Sequence, residues 1–298
     1  AVLAAPAIAQ GVKTITVVST WPRDFPGLGM SAQRLCARID AISGGALKTE
    51  YFAAGEKVGA FDSFDEVAAG NSHAYIAAEY YWGGKHAAYN YFTSVPFGMT
   101  TPEWNAWIKF KGGQELWDEL AAGFNLKALT CGGTGAQCGG WFNKEINRLS
   151  DLQGVKMRIP GLGGEVFEAA GGTAVNIPAG EIFTSLQTGV IDAAEWVGPF
   201  NDLVLGFHQV AKYYYYPGWQ EPGPNLELII NQQAFNTLPK DLQAMLRNAA
   251  LAVNNDVLSE YTARNNQALK ELVEVHKVQV RRLPDDVLAA LKVISDEK

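Results

Sequence analysis

The sequence predicts an α/β protein made of two lobes. Short β-branched and aromatic runs alternate with helical patterns along most of the chain, which is typical of parallel-rich sheets covered by helices. The alternation starts at residue 15, starts again at residue 155, and is followed late in the chain by a long helical region. A chain of 298 residues is too long for one small core and suits two domains of about 100–150 residues each.

The first set of elements is bounded mainly by glycines. Gly44 and Gly123 each stop a helical pattern, and Ser31 is an N-cap candidate. The predicted strands cover residues 15–19, 48–52, 73–77 and 126–130, and the predicted helices cover 31–42, 64–69 and 104–122.

The second set of elements repeats this organisation. Pro160 ends its first strand, Gly189 ends its second helix, and Pro284 begins the last helix. The predicted strands cover residues 155–159, 174–177, 193–197, 212–216, 226–230 and 278–283, and the predicted helices cover 164–170, 181–188 and 240–274. We therefore expect residues 11–136 with about 226–265 in one lobe, and 137–225 with about 266–298 in the other.

Composition and charge argue against several classes of protein. The formal net charge is −7 and no dense Lys/Arg block is present, so the chain is a poor candidate for binding nucleic acid. No stretch approaches the roughly 18 apolar residues of a membrane span. Residues 1–10, AVLAAPAIAQ, read as the remnant of a signal peptide with an A-x-A site at Ala7-Ile8-Ala9, so we expect an exported, periplasmic protein.

Common catalytic and cofactor motifs are not visible. The stretch Gly161-Leu162-Gly163-Gly164 resembles a dinucleotide fingerprint, but its sixth position is Val166 rather than glycine, so it predicts a strand-to-helix turn. The four histidines have no metal-ligand spacing. An enzyme stays open as an alternative, because catalytic groups can come from distant residues; Glu195 is then the obvious acid or base.

Three segments carry a resemblance to a known family: 134–142 (TGAQCGGWF), 155–164 (VKMRIPGLGG) and 191–223 (IDAAEWVGPFNDLVLGFHQVAKYYYYPGWQEPG). Together they resemble the solute receptors of TRAP transporters, and among them the branch that binds 2-oxo acids such as pyruvate, or 2-hydroxy acids such as lactate, with a metal cation. The resemblance implies a periplasmic-binding-protein-like fold, with a cleft between the lobes and a long helix bracing both. It also implies a receptor without catalysis, which works with TRAP membrane subunits.

The resemblance also assigns site residues. Arg158 matches the arginine that grips the ligand carboxylate, and a guanidinium fork suits that task physically. Glu195, Glu221, Gln137 and the backbone oxygen of Trp196 match the cation ligands, and oxygen ligands suit calcium or sodium. The resemblance further implies that the Trp196 indole packs on the ligand and that the Gln137 amide contacts it.

Aromatic residues near the predicted strand ends extend this site. One of Tyr80 and Tyr81 is expected to face the cleft and the other the core, since side chains alternate along an extended chain. Phe200 and Asn201 follow the AEWVGP run and are candidates to line the cleft.

Two further expectations follow from the departures and the ends of the sequence. Cys131 and Cys138 flank Gln137, and we predict a disulfide that stiffens this loop in an exported protein. The resemblance allows a homodimer through the C-terminal helix. A sensor that signals without transport stays open as a third alternative.

Overall fold

The computed structural model describes residues 12–298 and contains two β-sheets, each covered by helices. The predicted signal-peptide remnant at 1–10 lies outside the described residues. In chain order the strands are β1 (Lys13–Ser19), β2 (Leu47–Phe52), β3 (Ala74–Ala77), β4 (Leu126–Gly133), β5 (Gly140–Phe142), β6 (Lys156–Arg158), β7 (Thr173–Val175), β8 (Ala193–Ala194), β9 (Tyr213–Tyr216), β10 (Asn225–Asn231) and β11 (Gln279–Arg282). The α-helices are α1 (Leu28–Ile42), α2 (Ser63–Ala68), α3 (Tyr89–Thr93), α4 (Thr101–Phe110), α5 (Gly113–Ala122), α6 (Gly161–Ala169), α7 (Ala179–Gln187), α8 (Pro199–Leu205), α9 (Gln232–Asn236), α10 (Lys240–Glu274) and α11 (Asp285–Asp296).

Each sheet defines one lobe. The first has the strand order β2-β1-β3-β10-β4 and the second β11-β9-β5-β8-β6-β7. Parallel pairs join β1 to β2 and β3, β6 to β7 and β8, and β9 to β11. Strand β10 runs antiparallel to both of its neighbours, as does β5. The predicted two-lobed α/β class is therefore confirmed, with one antiparallel strand inside each sheet.

The long helix α10 braces both lobes. It packs on α1 and β4 of the first lobe and on α8 of the second. Arg38 Nη2 lies 2.7 Å from Asp256 Oδ2, and the Tyr261 hydroxyl donates to Asn201 Oδ1 at 2.6 Å. The helix is continuous from 240 to 274, as predicted, so the expected lobe division at about 265 falls inside it. Within residues 12–298, no helix combines the length and apolar character needed to cross a membrane.

Two local predictions about helices are wrong. The helix expected over 104–122 is two helices, α4 and α5, because Gly112 between them adopts φ +83°, in the left-handed region that glycine tolerates. Ser31 does not cap α1, which begins earlier, at Leu28. Instead, the Ser31 hydroxyl donates to the Leu28 carbonyl at 2.7 Å, one turn back along the helix.

The predicted disulfide between Cys131 and Cys138 is also wrong, since all three cysteines are free thiols. Cys131 is buried in β4 among the first lobe's apolar residues, beside Cys36. Cys138 lies beyond the crossover, where its thiol contacts the Tyr214 hydroxyl in the second lobe. The two thiols therefore belong to the packing of different lobes, and the loop with Gln137 is held by backbone hydrogen bonds.

Candidate functional site

The second sheet brings Arg158 and Glu195 together at the ends of two neighbouring strands. Arg158 is the last residue of β6, and Glu195 follows β8, which pairs with β6 in parallel with Arg158 opposite Ala194. Because parallel strands end at the same edge, the two side chains meet outside the carboxyl ends, where ligands bind in α/β sheets. Both side chains are fully buried.

The crossover segments between the lobes supply the other two predicted polar residues. The Gln137 backbone N–H donates to the Glu221 carbonyl at 3.1 Å, and Gly218 N–H donates to the Gln137 carbonyl at 3.0 Å. A Cβ on Gly218 would lie 2.4 Å from the Gln137 carbonyl oxygen, so only glycine permits this close approach. The loop that presents Gln137 is thus fixed against the loop that presents Glu221.

Arg158 makes polar contacts through only part of its guanidinium group. Nη1 donates to the Glu195 carbonyl at 2.9 Å and also to the Glu195 carboxylate, and Nε donates to the Ile177 carbonyl at 3.3 Å. The guanidinium carbon lies 4.8 Å from the centre of the Trp196 ring, a cation–π contact. Nη2 is buried with no hydrogen-bond partner, so one donor group is available for a further acceptor.

Unpartnered oxygens concentrate in the same region. Gln137 Oε1, Glu195 Oε2 and both carboxylate oxygens of Glu221 are buried without a hydrogen-bond partner. Unpaired buried oxygens are rare because their desolvation is costly. Gathered in one place, they form a set of hard oxygen ligands that fits a cation such as calcium or sodium.

The ionisation of these groups reflects burial and their neighbours. Burial raises the pKa of Glu195 to about 7, against the opposing charge of Arg158. Burial, followed by repulsion from Glu195, raises the pKa of Glu221 well above its usual range. Burial alone would lower the pKa of Arg158, but the charge of Glu195 and the other acidic groups raises it. When Glu195 and Glu221 are both ionised, their two negative charges exceed the single positive charge of Arg158. The site then has a net negative charge.

A small cavity faces this cluster from the first lobe. Its volume, counted as the space that the centre of a water molecule can occupy, is about 10 Å³. Its lining includes Gln137, Trp196 and Glu221, together with Tyr80 and Tyr81. The lobes are thus closed over a space of about one water molecule. Arg158 and Glu195 lie behind this lining, and their charges act on the Tyr80 hydroxyl.

Both Tyr80 and Tyr81 line the cavity, so the expectation that only one would point inward is wrong. They lie on a single 3₁₀ turn over Glu79–Trp82 rather than on an extended strand, and their ring centres are 5.1 Å apart. Across the cleft, a Cβ on Gly161 would lie 2.5 Å from Tyr80 Cδ2. The glycine that opens α6 therefore lets the two lobes approach at Tyr80.

Phe200 and Asn201 lie away from this cluster, on α8. The Phe200 ring packs edge-on to Tyr261 of α10, with centroids 5.9 Å apart. Asn201 is fully buried, donates to the Pro26 carbonyl at 2.8 Å and accepts from Tyr261. Both residues join α8 to α10 and to the first lobe, and neither reaches the cavity.

Two residues near the site were missed by the sequence reasoning. Trp21 lines the cavity with a buried, unpartnered indole N–H; its signal was its position just after β1, at a strand's carboxyl end. Asp202 accepts hydrogen bonds from Trp141, Tyr214 and the backbone of Val197 and Gly198. It thereby fixes the backbone just after Trp196, a role that only tertiary contacts reveal.

The chain has clear relatives. Residues 18–298 match the family described as bacterial extracellular solute-binding protein, family 7. The chain is 42% identical over 257 residues to the monocarboxylate 2-oxoacid-binding periplasmic protein of Nostoc sp., which covers 86% of this chain and 70% of that protein.

Two solved structures are similar over nearly the whole chain. One is a TRAP periplasmic solute binding protein from Pseudoalteromonas atlantica with bound sodium and pyruvate, at 40% identity and a TM-score of 0.93, covering 96% of this chain and 87% of that one. The other is a TRAP periplasmic solute binding protein from Colwellia psychrerythraea with bound calcium and pyruvate, at 39% identity, with the same TM-score of 0.93 and the same coverage, 96% and 87%.

Proposed function

This chain belongs to family 7 of the bacterial extracellular solute-binding proteins, and we propose that it captures a small 2-oxo or 2-hydroxy carboxylate with a calcium or sodium ion for a TRAP uptake system. The observation that carries this proposal is a set of buried, unpartnered polar atoms at one small cavity and behind its lining. Gln137 and Glu221 line the cavity with unpartnered oxygens, and Arg158 and Glu195 lie behind them with an unpartnered donor and oxygen. Similar proteins bind pyruvate with sodium or calcium.

Arg158 binds the ligand carboxylate in this proposal. Its Nη1 and Nε are held by Glu195 and the Ile177 carbonyl, so the guanidinium cannot turn away and Nη2 faces an acceptor that must come from the ligand. Fixed, charge-assisted donors of this kind bind carboxylates strongly. The Trp196 ring, already stacked on the guanidinium, provides an apolar surface for the ligand.

Gln137, Glu195, Glu221 and the Trp196 carbonyl are the residues that would hold the cation. When bound, the cation supplies positive charge that the site lacks and an electrophilic centre for the ligand's carboxylate and 2-oxo or 2-hydroxy oxygen. Two glutamates and a ligand carboxylate against one arginine leave a charge of −2, which favours calcium over sodium.

The receptor works by closure of its two lobes. Ligand and cation bind the open cleft, and closure places Tyr80 and Tyr81 of the first lobe over Gln137, Trp196 and Glu221. The closed form is the state that the TRAP membrane subunits recognise, and the periplasm is where such a receptor acts. Ligand shifts the open–closed equilibrium only through its higher affinity for the closed state. Dimerisation through the C-terminal helix remains a prediction.

The test is isothermal titration of cation-stripped protein with pyruvate, lactate and longer 2-oxo acids, each with and without added calcium or sodium. We expect one acid to bind at one-to-one stoichiometry only when the cation is present. The ligand should be recovered unchanged, which separates a receptor from an enzyme that uses Glu195 as a base. Absence of binding under every cation would move the ligand outside these acids and remove the cation role of Glu195 and Glu221.

A further inference from the structure

A second pair of buried carboxyl groups lies directly behind Tyr80 and Tyr81, which line the cavity. Glu79 is the first residue of the 3₁₀ turn that carries Tyr80 and Tyr81. Glu227 lies in β10, opposite Ala77 at the end of β3. Both side chains are fully buried, and neither has a role in the binding chemistry described above.

Glu227 is the more strongly hydrogen-bonded member of the pair. Its carboxyl group accepts from the Glu79 backbone N–H at 3.0 Å, from Thr93 Oγ1 at 3.1 Å and from Asn225 Nδ2 at 3.1 Å. Glu79 Oε2 accepts from Trp117 Nε1, while Glu79 Oε1 has no partner. The Glu79 backbone is thus held on the Glu227 carboxyl, and the two acidic side chains share one enclosed region.

A short chain of hydrogen bonds connects this pair to the ligand cavity. Thr93 lines the cavity, and its hydroxyl bridges the Glu227 carboxyl and the Tyr80 backbone N–H, which donates to it at 3.1 Å. The turn with Tyr80 and Tyr81 is therefore anchored on Glu227 twice, once through the Glu79 N–H and once through Thr93.

No positive charge balances the pair within the described residues. Neither glutamate forms an ion pair with any Lys, Arg or His of residues 12–298. The other titratable groups that face the pair would add negative charge if they ionised. They are Tyr75 on β3, Tyr89 on α3 and Cys131 on β4.

The pair consequently retains a proton near neutral pH. Two adjacent carboxylates buried without a counter-charge repel each other and lack solvation, so one of them stays protonated. Burial raises the pKa of Glu79 to about 8, against the opposing effect of the hydrogen bond from Trp117. Burial and repulsion from Glu79 raise the pKa of Glu227 well above its usual range.

We propose that Glu79 and Glu227 are positioning residues for the ligand site: a proton retained on one of the two carboxyl groups keeps the Tyr80–Tyr81 turn in its binding position, and loss of that proton in alkaline medium weakens ligand binding. Once both carboxyls are ionised, their repulsion acts on the Glu79 backbone and the Thr93 bridge, and so on the two tyrosines. This inference rests on the proposed function, because its readout is carboxylate binding.

The sign of the effect separates it from titration of the cation ligands. Ionisation of Glu195 and Glu221 strengthens cation binding, so those two residues make affinity rise with pH. Ionisation of Glu79 and Glu227 makes affinity fall at higher pH. The pyruvate affinity of wild type should therefore rise and then fall as the pH increases, with the fall due to Glu79 and Glu227.

The experiment measures the pyruvate Kd by titration from pH 6.5 to 9.5 with excess calcium chloride, for wild type, Glu227→Gln and Glu79→Gln. A glutamine is neutral and nearly isosteric with a protonated glutamate. Each variant therefore removes one carboxyl group of the pair, and with it the repulsion between two ionised carboxylates. We expect the wild-type Kd to rise at least about threefold between pH 8 and 9.5, within the limit of about tenfold per pH unit for each proton released. Glu79→Gln should keep its pH 7 affinity and lose the rise, because its amide oxygen can still accept from Trp117 Nε1. Glu227→Gln should also lose the rise but bind more weakly at every pH, because its amide nitrogen cannot accept one of the hydrogen bonds that both Glu227 oxygens now accept. Glu115→Gln, the same change at an exposed position of α5, is the matched control and should behave like wild type.

The outcomes distinguish this inference from the proposed function. No pyruvate binding by wild type at any pH would overturn the proposed function, whereas binding with an unchanged falling limb in both glutamine variants would overturn this inference alone. Circular dichroism at each pH identifies any variant that unfolds. If one glutamine variant does not fold, the other gives the decisive profile.

Discussion

At the scale of single residues, the buried Arg158–Glu195 pair links the two halves of the proposed site. Glu195 holds one side of the guanidinium and keeps one carboxylate oxygen unpartnered. In the proposed function, Arg158 binds the ligand carboxylate and Glu195 binds the cation, and the ion pair between them restrains both side chains. Removing one member of a buried ion pair leaves an uncompensated charge, so substitutions at the two positions should have distinct and large effects.

Arg158→Ala should abolish carboxylate binding, with an increase in Kd of at least about 100-fold, because the main charge partner of the ligand is lost. Isothermal titration with pyruvate and calcium measures this. Arg148→Ala removes an arginine whose side chain is 75% exposed and is the matched control. Full affinity in Arg158→Ala would contradict the proposed role of Arg158.

Glu195→Gln should weaken binding mainly through the cation, so a higher calcium concentration should restore part of the affinity for pyruvate. In wild type, the raised pKa of Glu195, about 7, means that calcium must displace protons in weakly acidic medium. Calcium affinity should therefore increase between pH 6 and 8, and this dependence should be shallower in the variant.

Calcium titrations at several pH values measure both effects, and Glu181→Gln, at an exposed position on α7, is the control. A Glu195→Gln defect that calcium cannot relieve at all would assign this residue to the ligand or to Arg158 alone.

At the scale of elements, α10 and α8 join the two lobes to each other. Tyr261 of α10 donates to Asn201 of α8, which in turn donates to the Pro26 carbonyl before α1. Tyr261 and Asn201 are fully buried and Pro26 is half-buried, and each hydrogen bond stabilises the junction by about 1 kcal/mol. The sequence indicated the length of α10 but assigned Asn201 to the cleft, since the short helix α8 was not predicted.

Tyr261→Phe should lower the free energy of unfolding by about 1 kcal/mol, because the ring still packs but the Asn201 oxygen loses its donor. Urea denaturation followed by circular dichroism measures the change. Tyr91→Phe, at a position that is 46% exposed, should change stability by less than about 0.5 kcal/mol. Equal effects of the two substitutions would show that the Tyr261 hydroxyl does not stabilise the junction.

At the scale of the whole molecule, the described structure is a closed clamp. Tyr80 lies against Gly161 across the cleft, and Asn90 of the first lobe donates to Glu165 of the second at 3.3 Å. The first of these contacts is apolar and the second is a hydrogen bond, and both would have to break for the cleft to open.

Small-angle scattering should therefore report a smaller radius of gyration when pyruvate and calcium are added together to cation-stripped protein than when either is added alone. Arg158→Ala should show no contraction on the same additions. A radius that is unchanged for wild type under saturating ligand would contradict closure on binding.

The sequence by itself determined most elements and the class of the fold. Glycines, prolines and hydrophobic periodicity are local signals, so the bounds of β2, α10 and β10 could be predicted within one or two residues. Local signals failed where one residue's backbone conformation decided the result, as at Gly112 between α4 and α5, and where helices were too short to show a period, as for α8.

The residues of the candidate site could also be predicted from the sequence, through the segments that resemble TRAP receptors. Their hydrogen-bond and ion-pair partners could not. Only the tertiary structure brought Arg158 to Glu195 and put the Glu79–Glu227 pair behind Tyr80 and Tyr81. The physical reason is that burial, unpartnered oxygens and shifted pKa values all depend on contacts between residues that are far apart in the chain. The charge balance of a site is a property of its closed environment, which no local stretch of sequence contains.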